Sequence, residues 1–114
     1  MNKDFYPDEI QKLPEADVPF SGVRAWLLQS EHGQLVFFGF TRDVEVPAHQ
    51  HGAQWGVVVD GEIVLTIADQ TKTYRRGDSY FIPANTKHSA LVKSGARVID
   101  FFADPHRYRA KLNL

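Results

Sequence analysis

His49 and His51 stand two residues apart in the run Pro47-Ala48-His49-Gln50-His51-Gly52-Ala53-Gln54-Trp55-Gly56, and His88 follows later in the chain. In an extended segment side chains alternate between faces, so residues i and i+2 project the same way. His49 and His51 then share one side, with Gln50 opposite. Two adjacent imidazoles make half of a site for a borderline metal ion, which needs one or two further donors. Gln54 offers a neutral carbonyl oxygen, and His88 a third nitrogen from a later strand. The same pair could lie exposed beside a Pro–Gly loop, bonded to backbone. Spacing alone leaves both readings open.

The elements that must position these residues read as strands from about residue 22 onward. Gly22 to Leu28 and Gln34 to Thr41 flank Ser30-Glu31-His32-Gly33, a hairpin pattern. Asp43 to Val46 alternates and runs into Pro47. Trp55 to Val59 and Glu62 to Ile67 are separated by Asp60-Gly61, a strong hairpin signal between β-branched runs. Lys72 to Arg75, Ser79 to Ile82, Lys87 to Val92 and Arg97 to Phe102 complete the set, with turns at Arg76-Gly77-Asp78, Pro83 to Thr86 and Lys93-Ser94-Gly95. Short strands at this spacing predict an antiparallel sandwich or barrel. Residues 7–13 read as one helical turn. Asp104-Pro105 reads as an N-cap followed by proline at the first helical position, opening a short C-terminal helix. The expected organisation is an extended arm over residues 1–21, a barrel over 22–103, and a tail over 104–114.

A chain of 114 residues has room for one core. With 43% apolar and 24% charged residues it has a globular composition, and a formal charge of −1 supplies no basic field. Nucleic acid and anionic membranes are therefore not expected partners. The chain has no cysteine, which removes disulfides, thiolate catalysis and thiolate-ligated zinc. Met1-Asn2-Lys3-Asp4-Phe5 does not lead into an apolar run, so no signal peptide is read, and no stretch is long enough to span a bilayer. A cytoplasmic location is expected.

Together these features resemble the cupin superfamily of small β-barrels, in its single-domain form. The first cupin motif reads here as His49-Gln50-His51, then Gln54, six residues and Gly61. The second reads as Gly77, five residues, Pro83 and then His88. Both occur in order, and the likeness covers roughly residues 22–103. Three departures stand out. Gln54 replaces the usual glutamate, with one fewer intervening residue; Val92 stands where asparagine closes the second motif; and Asn85 occupies the usual glycine position after proline.

The resemblance implies an all-β, antiparallel double-stranded β-helix, or jelly-roll barrel, with a metal near the mouth. His49, His51 and His88 would bind through neutral imidazole nitrogens at about 2.0–2.2 Å, with the Gln54 carbonyl oxygen as fourth donor. Three imidazoles and an amide cancel none of the charge of a divalent ion, so the site would favour an anionic ligand. Nitrogen donors point to a transition metal, with iron, nickel, manganese, zinc and copper all suited. Parity places Ala90 and Val92 on the side of His88, and Gly56 and Val58 on the side of Gln54. Phe38, Phe40, Val58, Tyr80, Ile82, Ala90 and Phe102 are candidates to line the cup, with plain barrel core as the alternative for each. No lysine or arginine is assigned to the inner face, and Arg75 and Arg76 are read as solvated. Trp55 should point away from the metal, and His32 and His106 should be exposed and idle. An apolar, aromatic cup suits a small organic molecule with an oxygen donor. The functions implied are a metal-dependent oxygenase, isomerase or lyase, or else a non-catalytic sensor or storage module. Such barrels also imply a homodimer, to which the stretch Leu13 to Pro19 could lend an arm.

Overall fold

The computed structural model describes residues 5–112. Chain order is α1 (Asp8–Gln11), β1 (Val23–Ser30), β2 (Gly33–Phe40), β3 (Val44–His49), β4 (Gln54–Asp60), β5 (Glu62–Ile67), β6 (Gln70–Arg75), β7 (Ser79–Ile82), β8 (His88–Val92) and β9 (Arg97–Phe102). Two antiparallel sheets form, one in the order β1-β2-β9-β4-β7 and one in the order β3-β8-β5-β6. This is the jelly-roll architecture. The strands form where β-branched and aromatic residues recur, alternating with polar ones where only the inner face of a sheet is buried. Their inner faces meet in a core that includes Ala25, Leu27, Val36, Phe38, Val58, Leu65, Ile82 and Val98.

Asp60-Gly61 does not close a hairpin. Gly61 takes the left-handed backbone (φ 81°), but β4 pairs with β9 and β7, whereas β5 pairs with β8 and β6. The turn therefore carries the chain from one sheet to the other. Later strands fill both edges of each, so a local turn signal gives way to non-local pairing.

The C-terminal helix is a second correction. Residues 103–108 form bends and turns. Asp104 caps locally, its Oδ1 accepting from the His106 amide at 2.8 Å, but no helix follows. The buried Gln34 side chain holds Tyr108 instead, donating from Nε2 to the Tyr108 carbonyl (2.9 Å) and accepting from the Tyr108 amide (3.0 Å). This two-way bond draws the tail across the barrel as an extended strap, and Ala110 bridges to Ala16.

The arm lies against its own chain. The Ala16 amide donates to the Ala25 carbonyl (2.8 Å) and the Leu27 amide to that of Pro14 (2.9 Å), so residues 14–16 cover the β1 edge. Before them, Phe5, Tyr6, Ile10 and Leu13 pack on Trp26, Phe37 and Ile99, on the outer face of the five-stranded sheet. Residues 1–4 and 113–114, on which the reading of the extreme N-terminus and the end of the tail fall, lie outside the described residues. No helix among the described residues is long and apolar enough to cross a membrane.

Candidate metal centre

β3 and β8 pair in regular register from Val44 to Val46, shift at Pro47-Ala48, and meet again with His49 directly opposite His88. Proline lacks an N–H, so it sits at such a bulge at little cost. His51 follows β3, and its carbonyl accepts from the Asn85 amide at 2.8 Å. Asn85 is left-handed there (φ 59°), a conformation asparagine tolerates, so it stands in for a glycine. Two loops are thereby fastened together, with His51 and His88 on either side.

The three imidazoles converge. Ring centroids are 5.1 Å apart for His49 and His51, 4.2 Å for His49 and His88, and 4.8 Å for His51 and His88. One nitrogen from each lies within 4.8 Å of the others. Each Nδ1 meets a nearby backbone carbonyl: Pro47 for His49 (2.9 Å), Gly52 for His51 (2.8 Å) and Thr86 for His88 (2.9 Å). A carbonyl can only accept, so each Nδ1 carries the hydrogen and each Nε2 presents its lone pair. His88 Nε2 is buried and has no hydrogen-bond partner. A buried polar atom left in this way is costly unless something absent from the chain satisfies it. Burial lowers the pKa of His51 to about 4 and also lowers that of His88; their backbone bonds oppose the shift, and Arg107 and the neighbouring histidines add to it. Neutral imidazoles with free Nε2 atoms are the form a metal ion takes. The donor set fits a divalent transition ion.

Beneath the histidines lies a cavity of about 300 Å³. Asp100 on β9 enters it, faces Gly56 in the register, and is almost completely buried. Its Oδ1 accepts from the Tyr80 hydroxyl at 2.6 Å, and the Gln54 side chain also bonds to the carboxylate. Burial raises its pKa to about 7 against the lowering effect of those two bonds. Gly56 is required here, because a Cβ would collide with both Asp100 and Tyr80. At another side of the cavity stands Arg107, carried by the C-terminal strap. Its guanidinium lies 4.5 Å from the Tyr108 ring centroid and 5.6 Å from that of Phe102, and its Nε is buried without a partner.

Residues 41–102, more than half of the chain, match the family model for the cupin domain. The chain belongs to the cupin family. Its structure is similar to an RmlC-like cupin from Shewanella frigidimarina (28% identity, TM-score 0.72, covering 84% of this chain and 87% of that one). It is also similar to KdgF from a Halomonas species (25% identity, TM-score 0.71, covering 81% and 86%). The oxalate decarboxylase of Bacillus subtilis, a protein with Mn(II) centres, shares the fold at 21% identity (TM-score 0.70), covering 82% of this chain and 28% of that one. No curated protein matches the sequence.

Within this cupin, Phe38, Phe40, Tyr80, Ala90 and Phe102 line the cavity with the three histidines and Gln54. Val58 and Ile82 do not; both are buried in the core. Tyr80 and Asp100 occupy the space over Gly56, between Gln54 and Val58 on the strand. Trp55 faces outward, His32 is exposed beside Glu31, and exposed His106 meets Gln29. Arg75 and Arg76 are exposed. The sequence assigned no arginine to the inner face, but Arg107, in the bends after β9, lines the cavity. Asp100 was also missed, although parity from Phe102 places it inside.

Proposed function

We propose that this cupin holds a divalent transition metal ion through Nε2 of His49, His51 and His88, and acts on a small organic carboxylate by proton transfer, as an isomerase or lyase. Gln54, whose side chain bonds to Asp100, would offer its carbonyl oxygen as a fourth donor. The observation that carries the reading is a pair of orphaned buried nitrogens on one cavity. Neither His88 Nε2 nor Arg107 Nε, both buried, has a hydrogen-bond partner among the described residues. A carboxylate between them satisfies the second while approaching the first.

The bound ion would polarise an oxygen of the ligand and stabilise negative charge that develops on it. Phe38, Phe40 and Phe102 exclude water from the apolar part of the ligand. Arg107 orients the carboxylate, with Tyr108 and Phe102 holding its guanidinium plane. Asp100 is the titratable carboxyl on the cavity wall, and Tyr80 fixes its orientation through the 2.6 Å bond. It is placed to take a proton from the ligand and return it at another atom.

A second reading, non-catalytic binding of the same ligand class, draws on the fact that Tyr80 and Gln54 both already engage Asp100. Metal analysis and proton exchange separate these cases. Wild-type protein should bind one equivalent of Mn, Ni or Zn, and His88→Ala should lose it. In deuterated buffer, metal-loaded protein should label a small keto or hydroxy acid at carbon, and Asp100→Asn should not. Binding without labelling favours the second reading. Failure of wild type to bind any of these ions would sink both.

A further inference from the structure

The cavity beneath the histidines joins two chambers of unlike chemistry. β8 and β9 run its length: His88, Ala90 and Val92 line it from one, and Phe102, Asp100 and Val98 from the other. His51 packs on Phe102, with ring centroids 5.7 Å apart, so Phe102 stands at the histidine end. Four residues along a strand span about 13 Å, which sets the reach from His88 to Val92 and from Phe102 to Val98. Asp100 and Tyr80 meet part-way along, over Gly56. Past them the strands supply apolar walls: Val92 with its register partner Ile63, Val98, and Phe40. The far end is closed by residues outside the barrel strands. Val18 and Phe20 of the N-terminal arm line the cavity and pack on the core, together with Val23, which faces Phe40 in the register. Main-chain bonds pin the arm on both sides of them. The Asp17 amide donates to the Arg109 carbonyl and the Thr41 amide to the Gly22 carbonyl, each at 2.8 Å.

We propose that the far chamber seats an apolar tail on the ligand of this site, and that Phe20 sets the length of that tail. Joined to the reading of the histidines and Arg107 as the acid-binding end, on which it rests, this makes the substrate an acid with an apolar tail. A polyhydroxylated acid would bury hydroxyls against Val92, Val98 and Ile63, whose side chains offer them no partner, and each unmet hydroxyl costs binding. An acid as short as pyruvate leaves the far chamber unfilled, and its lining forgoes those contacts. At about 300 Å³ the cavity is of the size that encloses a larger organic molecule. An apolar tail leaves water there without stripping any polar wall of its solvent, so its burial is favourable along its whole length. Phe20 is suited to be the stop because it belongs to the arm. Main-chain bonds hold that segment, so the side chain can change size while the barrel strands keep their places.

Calorimetric titration of the metal-loaded, full-length chain with pyruvate, α-ketobutyrate, α-ketohexanoate and α-ketooctanoate tests this. Affinity should rise about fourfold per added methylene, then level off where the tail meets Phe20. The heat capacity of binding should grow more negative along the rising part of the series. Phe20→Ala should carry the gain to longer acids, and Phe20→Trp should end it at shorter ones, with circular dichroism and metal content as in wild type. Straight-chain alcohols, which bring no anion to Arg107, should show the same gain per methylene. Glucuronate should bind no more tightly than pyruvate. Acids that bind without any gain along the series overturn the proposal and leave the reading of the acid-binding end intact. Alcohols that gain with length while no acid binds sink that reading and support the tail chamber. Tighter binding of glucuronate, or a limit that neither Phe20 variant moves, overturns the proposal.

Discussion

Asp100 joins the chemistry of the cavity to the stability of the fold. An unfolded chain ionises an aspartate near pH 4, whereas the folded protein holds this proton to about pH 7. Between those values the folded state binds the extra proton, so the stability set by this group falls as pH rises, and the loss is complete above pH 7. Asp100→Asn should therefore be more stable than wild type at pH 8 by on the order of 4 kcal/mol, with the difference vanishing near pH 4. Urea unfolding at the two pH values checks this, and equal stability at both would contradict it. In activity the same substitution should cost about 10²–10⁴-fold, with metal content unchanged. His51 carries the opposite slope. Its pKa is lowered to about 4 in the fold. The unfolded chain therefore takes up a proton first as pH falls from about 6.5, and stability drops there. The histidines were legible because spacing and strand parity announce them. Asp100 was not read, although Phe102 was assigned inward and parity carries Asp100 with it, because a carboxylate is ordinarily a solvated residue.

The strap after β9 shows how an element can be placed by one buried side chain. Gln34 has no exposure, and both ends of its amide are committed to the Tyr108 backbone. Gln34→Ala leaves those backbone groups without their partner, and should cost about 1–3 kcal/mol in chemical denaturation. Because the strap carries Arg107, KM for an anionic ligand should rise while metal content holds. A rise in KM without loss of metal separates a positioning role from general unfolding. Strand positions were readable because alternation marks a half-buried pleated surface. Pairing was not. Asp60-Gly61 has the composition of a hairpin yet joins two sheets, and Asp104-Pro105 has a helix-start pattern yet yields to Gln34. Both were decided by contacts with residues distant in sequence.

At the scale of the whole molecule, the N-terminal segment works as an outer layer on a two-sheet barrel. The Tyr6 hydroxyl, buried on that face, donates to the Phe38 carbonyl at 2.7 Å, with the Val98 carbonyl at 3.3 Å. Tyr6→Phe should lower unfolding stability by about 1 kcal/mol, measured by thermal or urea denaturation, while cavity and metal content remain as they are. A drop in metal content would mean that this layer and the barrel mouth are coupled.

Each metal-seeking imidazole is oriented by a main-chain carbonyl one or two residues away in its own loop, and no side chain shares that task. Ordinary point substitutions cannot delete those tethers. On the proposed reading, the capture of an ion and the choice of what it acts upon would therefore be separable traits of this scaffold. Arg107 could then be exchanged to suit a different guest while the main-chain tethers of the imidazoles stay in place, making the barrel a chassis on which new specificities can be built.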